Sequence, residues 1–344
     1  MYPTLLSSAT IGKYALSNKV VMAPAINKRP VPAGIPNDVM VNYYSQRAGA
    51  GLIIAEGTGF VESGMGHAHM PGIYSREQIT GWKKVTQAVH EKGGRIFLQI
   101  LHTGRISHPA NMPARSEIIA PSAVTARGEI WTETLGWQPH ATPRAMTTRE
   151  VEKMVQQYVK AATQAIAAGF DGVELHAANG YLMDQFLHPD INQRTDKYGG
   201  SIMNRTRFII ETIAAVSHAI GKDRTGILLS PYSQANDLQH HAELDATYEF
   251  LADALDVFSL SHIHLIKDPA VPATLIAGIR ARFNGTLILN GNYDAKHAEK
   301  SVQNGLADLV AFDAPCLSAP LPGQLCSTAS GDVHKKPDYA STNY

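Results

Sequence analysis

The sequence predicts an α/β protein built as a single (β/α)8 TIM barrel, with a long lid after the third strand. Three observations lead there. Short β-branched apolar runs alternate with longer stretches of helical period, the pattern of parallel strands covered by helices on their outer face. There are eight such runs in 344 residues, the number that closes a barrel and a normal length for one with loop insertions. Polar and glycine residues gather just after the runs, where the C-terminal mouth of a barrel carries its active site.

The runs are Val20–Ala23 (ending at Pro24), Leu52–Ala55 (followed by Glu56-Gly57-Thr58), Arg95–Leu101, Gly172–His176, Gly226–Ser230, Ser261–Leu265, Thr286–Asn290 and Leu309–Phe312. Helical stretches lie between most of them, among them Glu77–Glu91, Thr148–Ala168, Asn204–Ile220 and Asp294–Asn304. Two connections are long. Thr103–Thr147, rich in Pro, Gly and Thr, reads as a lid or subdomain, and Ala178–Ser201 is the second. The barrel is expected over residues 1–325, and the polar stretch Cys326–Tyr344 reads as a loosely packed tail.

Composition narrows the function. A hydrophobic share of 44% supports a large core and excludes a disordered body. Lys plus Arg and Asp plus Glu are 30 each, so no basic field invites nucleic acid. The expected partner is a small molecule, with a second copy of the chain the one macromolecular partner left open. No apolar run reaches the ~18 residues of a membrane span. Met1–Thr10 lacks the basic cluster and apolar stretch of a signal peptide, so a cytoplasmic location is expected. Cys316 and Cys326 read as reduced thiols. The 15 histidines show no metal-ligand spacing, and His262 and His264, alternating on one strand, are not expected to hold a metal.

His176 and Asn179 leave the end of one strand three residues apart, so both side chains can reach one mouth. Two hydrogen-bond donors on one carbonyl oxygen draw charge onto it and make a conjugated β-carbon electrophilic, as an oxyanion hole does. Tyr181, two residues on, offers a phenol that can donate a proton. A lone histidine after a strand is more often structural; the residues around this one reverse that balance.

Those residues are His176-Ala177-Ala178-Asn179-Gly180-Tyr181-Leu182, Asp184-Gln185-Phe186-Leu187, Asn192 through Ser201, Asn204-Arg205 and Arg207-Phe208. Together with Tyr43 through Ala48, Leu52–Thr58 and Gln99 through Pro109, they closely resemble the old yellow enzyme family, over roughly Leu5–Leu325. The resemblance implies FMN as cofactor and, where FMN binds, NAD(P)H as reductant. It implies that Tyr181 gives a proton to the substrate α-carbon while reduced FMN gives hydride to the β-carbon. Gln99 resembles the glutamine that hydrogen-bonds the flavin ring, and Gly57 and Pro24 resemble residues whose backbone approaches it. Arg194-Thr195-Asp196 and Asn204-Arg205 read as loop fasteners, and His102 and His108 as lid packing.

Departures from the family cluster on the cofactor. Ile26 stands where a Thr or Cys usually touches the flavin edge, and Leu228 where an Arg usually faces its N1/O2 edge. A usual Gly-Gly at the phosphate is Gly291-Asn292, and a usual Phe-Gly-Arg is Phe312-Asp313-Ala314. Hydrogen bonds to charged groups are each worth about 1.5–3 kcal/mol, so these losses predict weak flavin binding. Leu101, where many relatives have Trp, predicts a roomier pocket. The losses tilt the reading toward a flavin-independent isomerase or cyclase acting on an enone. The alternatives are an NAD(P)H- and FMN-dependent ene-reductase and, third, a non-catalytic binding barrel.

Overall fold

All eight runs become strands, because each is buried on both faces. They are Val20–Met22 (β1), Leu52–Gly59 (β2), Ile96–Leu101 (β3), Gly172–Ala177 (β4), Thr225–Leu229 (β5), His262–Ile266 (β6), Thr286–Asn290 (β7) and Leu309–Phe312 (β8). The computed structural model describes residues 2–24 and 31–313. The strands pair in parallel in sequence order, and β8 pairs with β1 through Val310↔Val20 to close the barrel. The expected strand limits move by a residue or so at five runs; only β2 differs in kind. It runs on to Gly59 through a register shift between Ala55 and Thr58, so Gly57 lies in a bulge inside the strand rather than in a turn after it.

The barrel interior has two unlike halves. Val21, Ala23, Leu52, Ile54, Phe97, Ile288, Leu309 and Ala311 form an apolar cluster, and Ile11 and Leu16 join it. Those two residues come from a hairpin, Ala9–Ile11 with Tyr14–Leu16, that the sequence reading did not anticipate. Toward β3–β6 the interior is polar, centred on Glu174, which is fully buried.

The outer layer comprises Asp38–Ser45 (α1), Arg76–His90 (α2), Thr148–Ala167 (α3), the short Leu182–Leu187 (α4), Ile202–Ile220 (α5), Leu244–Asp256 (α6), Ala273–Arg282 (α7) and Ala295–Gln303 (α8). Capping boxes start α2 at Ser75 with Gln78, and α3 at Thr147 with Glu150. Each satisfies amides that a helix start leaves unpaired. The inner faces pack large side chains such as Trp82, Tyr158 and Phe208, all fully buried.

The lid holds two small sheets, Glu129–Thr132 against Gly136–Pro139 and Ile119–Ala120 beside Arg144–Ala145. Arg194 fastens its far end. Its guanidinium donates to the carbonyls of Pro121 and Met146 and to Asp196, and Asp196 accepts from Thr148 Oγ1 at 2.5 Å. Arg205, which is buried, donates to Leu187 O and to Glu243. Cys316, Cys326, Ile26, Ala314 and the expected tail lie outside the described residues. Among the described residues no helix is long and apolar enough to cross a membrane.

Arg194→Met should unfasten the lid while leaving the barrel closed, because the bonds it removes join lid to loop. Proteolysis within residues 103–147 is expected to quicken at least several-fold, read as fragment mass against time, with far-ultraviolet dichroism retained. Unchanged cleavage would show the lid to be held elsewhere.

Candidate active site

The turn after β4 carries the site, and its backbone is pinned at every polar group that matters. Asn179 and Gly180 both adopt left-handed conformations, φ 54° and 74°, which asparagine tolerates better than most residues and glycine adopts freely. The Asn179 amide donates to Ser230 Oγ at 2.7 Å, and its carbonyl accepts from Asn236 Nδ2 at 2.7 Å. The Gly180 amide donates to the buried Asp184 at 2.9 Å, and its carbonyl accepts from Gln185 Nε2 at 2.7 Å. With the backbone so engaged, the Asn179 side chain has no hydrogen-bond partner among the described residues and faces the cavity.

His176, Asn179 and Tyr181 line one cavity of about 340 Å³ at the C-terminal mouth, in the usual size range for small-molecule sites. The His176 and Tyr181 rings meet edge to face, centroids 4.9 Å apart. His176 Nδ1 is buried without a partner. Burial, opposed by Glu174 and Asp184, lowers the His176 pKa to about 4, so the ring is neutral near pH 7 and carries one N–H. Tyr181 also accepts or donates a hydrogen bond with His67 Nε2 at 2.9 Å. Sequence reasoning missed His67, because that contact spans 114 residues and nothing local announces it.

Beneath the cavity lies Glu174. Its carboxylate accepts from Gln99 Nε2 at 2.8 Å, His262 Nε2 at 3.0 Å and His264 Nδ1 at 2.9 Å. Burial works to raise its pKa, and the two histidines, His264 foremost, together overcome this and hold it well below the usual range. The ring tautomers follow from the network: each histidine gives its N–H to the carboxylate, and His262 Nδ1 faces Ser261 Oγ at 3.0 Å. The paired positions of His262 and His264 thus serve a carboxylate. A lone glutamate in the run Gly172-Val173-Glu174-Leu175-His176 was the signal available in the sequence.

The expected cofactor residues fall around the same cavity. Pro24, Gly57, Gln99 and Leu228 line it, as do Leu101, Asn290 and Asp313. A methyl at Gly57 would stand 2.7 Å from Leu101 Cδ2, so the bare backbone keeps this wall open. Because Gln99 gives its amide N–H to Glu174, its Oε1 is left as an acceptor, 3.3 Å from that same point at Gly57. An acceptor there suits the N–H of an isoalloxazine, so the ring end fits FMN. Among the described residues the expected phosphate end is less well furnished. Gly291 is not part of the lining; glycine is required there by its left-handed φ of 137° and by Lys267 O, which an added Cβ would meet at 2.3 Å. Asn292 is left-handed too, φ 46°, and Asp313 adds a carboxylate to the lining. Leu228, aligned with His176 and His264 on neighbouring strands, gives the floor an apolar side chain where the family places a cation.

A closed barrel whose mouth gathers two carbonyl donors, a phenol and an open ring-binding wall defines an old yellow enzyme-type site. The chain belongs to the NADH:flavin oxidoreductase / NADH oxidase family, whose model matches residues 5–327. A Leishmania infantum protein described as a probable flavin mononucleotide-dependent alkene reductase is 39% identical, over 98% of this chain and 93% of that one. 12-Oxophytodienoate reductase 2 of Arabidopsis thaliana is 33% identical over 92% of this chain and 86% of its own. Among solved structures, morphinone reductase superposes with a TM-score of 0.87 at 41% identity, covering 91% of this chain and 86% of that one. These relatives support reduction; the flavin-independent isomerase or cyclase reading finds no support among them.

Two outcomes follow from the buried groups. Burial lowers the pKa of His102 to about 3 and of His176 to about 4. The unfolded chain binds those protons near pH ~6.5, so stability is full above that pH and is lost as pH falls toward about 4. Denaturant midpoints should therefore drop between pH ~6.5 and ~4.5, before most carboxylates protonate; a flat midpoint over that range would contradict the neutral assignment. Separately, Leu228→Arg should tighten FMN binding about tenfold or more, as one charged hydrogen bond predicts, measured by quenching of flavin fluorescence. No gain would mean that the floor is not where affinity was lost.

Proposed function

We propose that the chain is an NAD(P)H-dependent ene-reductase that uses FMN to reduce the C=C bond of an α,β-unsaturated carbonyl compound. The observation that carries this reading is the pair of cavity-facing donors, His176 and Asn179, beside the phenol of Tyr181. Its support also includes the relatives described as alkene and oxophytodienoate reductases.

When bound, FMN supplies hydride to the substrate β-carbon. Pro24, Gly57 and Gln99 would hold its ring, with Gln99 fixed as an acceptor by Glu174. The chain's own residues do the rest. His176 and Asn179 donate to the substrate carbonyl oxygen. His176 does so as a neutral ring, so the oxygen gains negative charge opposite a hydrogen bond and takes no proton from the ring. Because the Asn179 backbone is already pinned, its amide needs little reorganisation as that charge grows. Tyr181 then gives its phenol proton to the α-carbon. Leu101 and Leu228 keep water from the reacting carbons.

The test is NAD(P)H oxidation by the FMN-loaded protein with a cyclic enone, with the product gaining two hydrogens. His176→Ala and Asn179→Ala should each lower turnover by about 10²–10³, the cost of one oxyanion donor. Tyr181→Phe should slow protonation by about 10²–10⁴ while leaving enone binding nearly intact. Product of unchanged mass, or unchanged turnover in all three folded variants, would overturn the reading.

A further inference from the structure

His67 lies on the loop after β2, and that loop is clamped. The Gly66 amide donates to Thr103 Oγ1 at 3.2 Å, and Gly66 O accepts from Asn111 Nδ2 at 3.0 Å. A Cβ on Gly66 would fall 2.2 Å from Ser107 Oγ, so the backbone at this point has no room to drift. The clamp sets the next side chain. His67 Nε2 reaches the Tyr181 phenol oxygen at 2.9 Å, with the two rings edge to face at 89°. His67 also lines a second cavity, bounded by Glu62, Tyr74, Asn111 and Met112, so its ring stands between that space and the reaction cavity.

The electrostatics fix its protonation. Burial, then His140 and His176, lower the His67 pKa to about 4. His69, two residues on, faces Glu133 at 3.8 Å, and His67 takes no part in that pair. A neutral His67 holds one N–H. Its Nδ1 has no hydrogen-bond partner among the described residues and is not sealed from solvent. With the N–H on Nε2, the phenol oxygen accepts from His67 and its own O–H points away from that ring.

We propose that His67 is the positioning residue for Tyr181, holding the phenol proton toward the substrate and replacing it after transfer. This rests on the ene-reductase reading above. The step balances. The enolate's electron pair takes the phenol proton, forming the α-C–H bond as O–H breaks. Nε2–H passes its proton to the phenolate oxygen, Nδ1 takes one from water, and exchange with solvent returns the neutral ring to its Nε2–H tautomer before the next turnover. The net uptake is a single solvent proton, and no further oxidant or reductant enters.

The experiment compares an enone with a quinone as oxidant of the same FMN-loaded protein, since quinone reduction needs no proton on carbon. In His67→Phe the ratio of enone to quinone turnover should fall roughly tenfold or more, part of what a positioned acid contributes. The solvent deuterium effect on enone turnover should rise. His67→Gln, which keeps a donor but relays nothing, should fall between wild type and His67→Phe, and it carries the test if the Phe variant fails to fold. A second readout needs no cofactor: the Tyr181 phenol, followed by ultraviolet difference titration against Tyr181→Phe, should ionise at higher pH once the His67 donor is gone. An unchanged turnover ratio overturns the proposal, and so does an unchanged phenol ionisation. A wild-type protein that reduces neither oxidant would instead sink the ene-reductase reading, and the phenol titration would still decide the contact.

Discussion

A single buried carboxylate organises the floor of this site. Glu174 has no solvent exposure, yet three hydrogen bonds, from Gln99, His262 and His264, keep it anionic. A carboxylate left unpaired in such a place would be very unfavourable. The polar half of the barrel interior is therefore built around it. Its demands set the orientation of Gln99 and the tautomers of both histidines, and its charge acts on His176 two residues along the same strand. Gln99, His262 and His264 take their hydrogen-bonding roles from that one group.

The opposite half of the interior is apolar, and the N-terminal hairpin seals it with Ile11 and Leu16. This division separates stability from chemistry. The packed half and the helices supply the burial, and the polar half, open toward the mouth, supplies the donors. The turn after β4 then adds the one irregular piece, two consecutive left-handed residues held by Ser230, Asp184, Gln185 and Asn236. Such a turn is unfavourable alone and persists because four partners determine it. The result is a side-chain amide and a phenol aimed at one space by a backbone with no freedom left.

The flavin question looks different with the cavity in view. Leu228 and Asp313 both line it, an apolar side chain and a carboxylate. Pro24, Gly57 and Gln99 line it as well, and one relative is described as a probable flavin mononucleotide-dependent alkene reductase. Gly291 lies outside the lining of this cavity, and its glycine answers at least to Lys267 O, a packing requirement that motif spacing does not distinguish from a binding one.

The sequence by itself determined the barrel, its strand order and the trio His176, Asn179 and Tyr181. Strand burial leaves a local pattern of β-branched residues, and the trio lies within six residues of one strand end, so both are written in neighbouring positions. The bulge at Gly57, the hairpin that closes the bottom, the Glu174 network and the His67–Tyr181 contact were decided by the tertiary structure. Each joins residues far apart in the chain, 75 to 90 positions for Glu174 with its three partners and 114 for His67 with Tyr181. A hydrogen bond between distant residues depends on where closure of the barrel puts them, and no spacing along the chain records that.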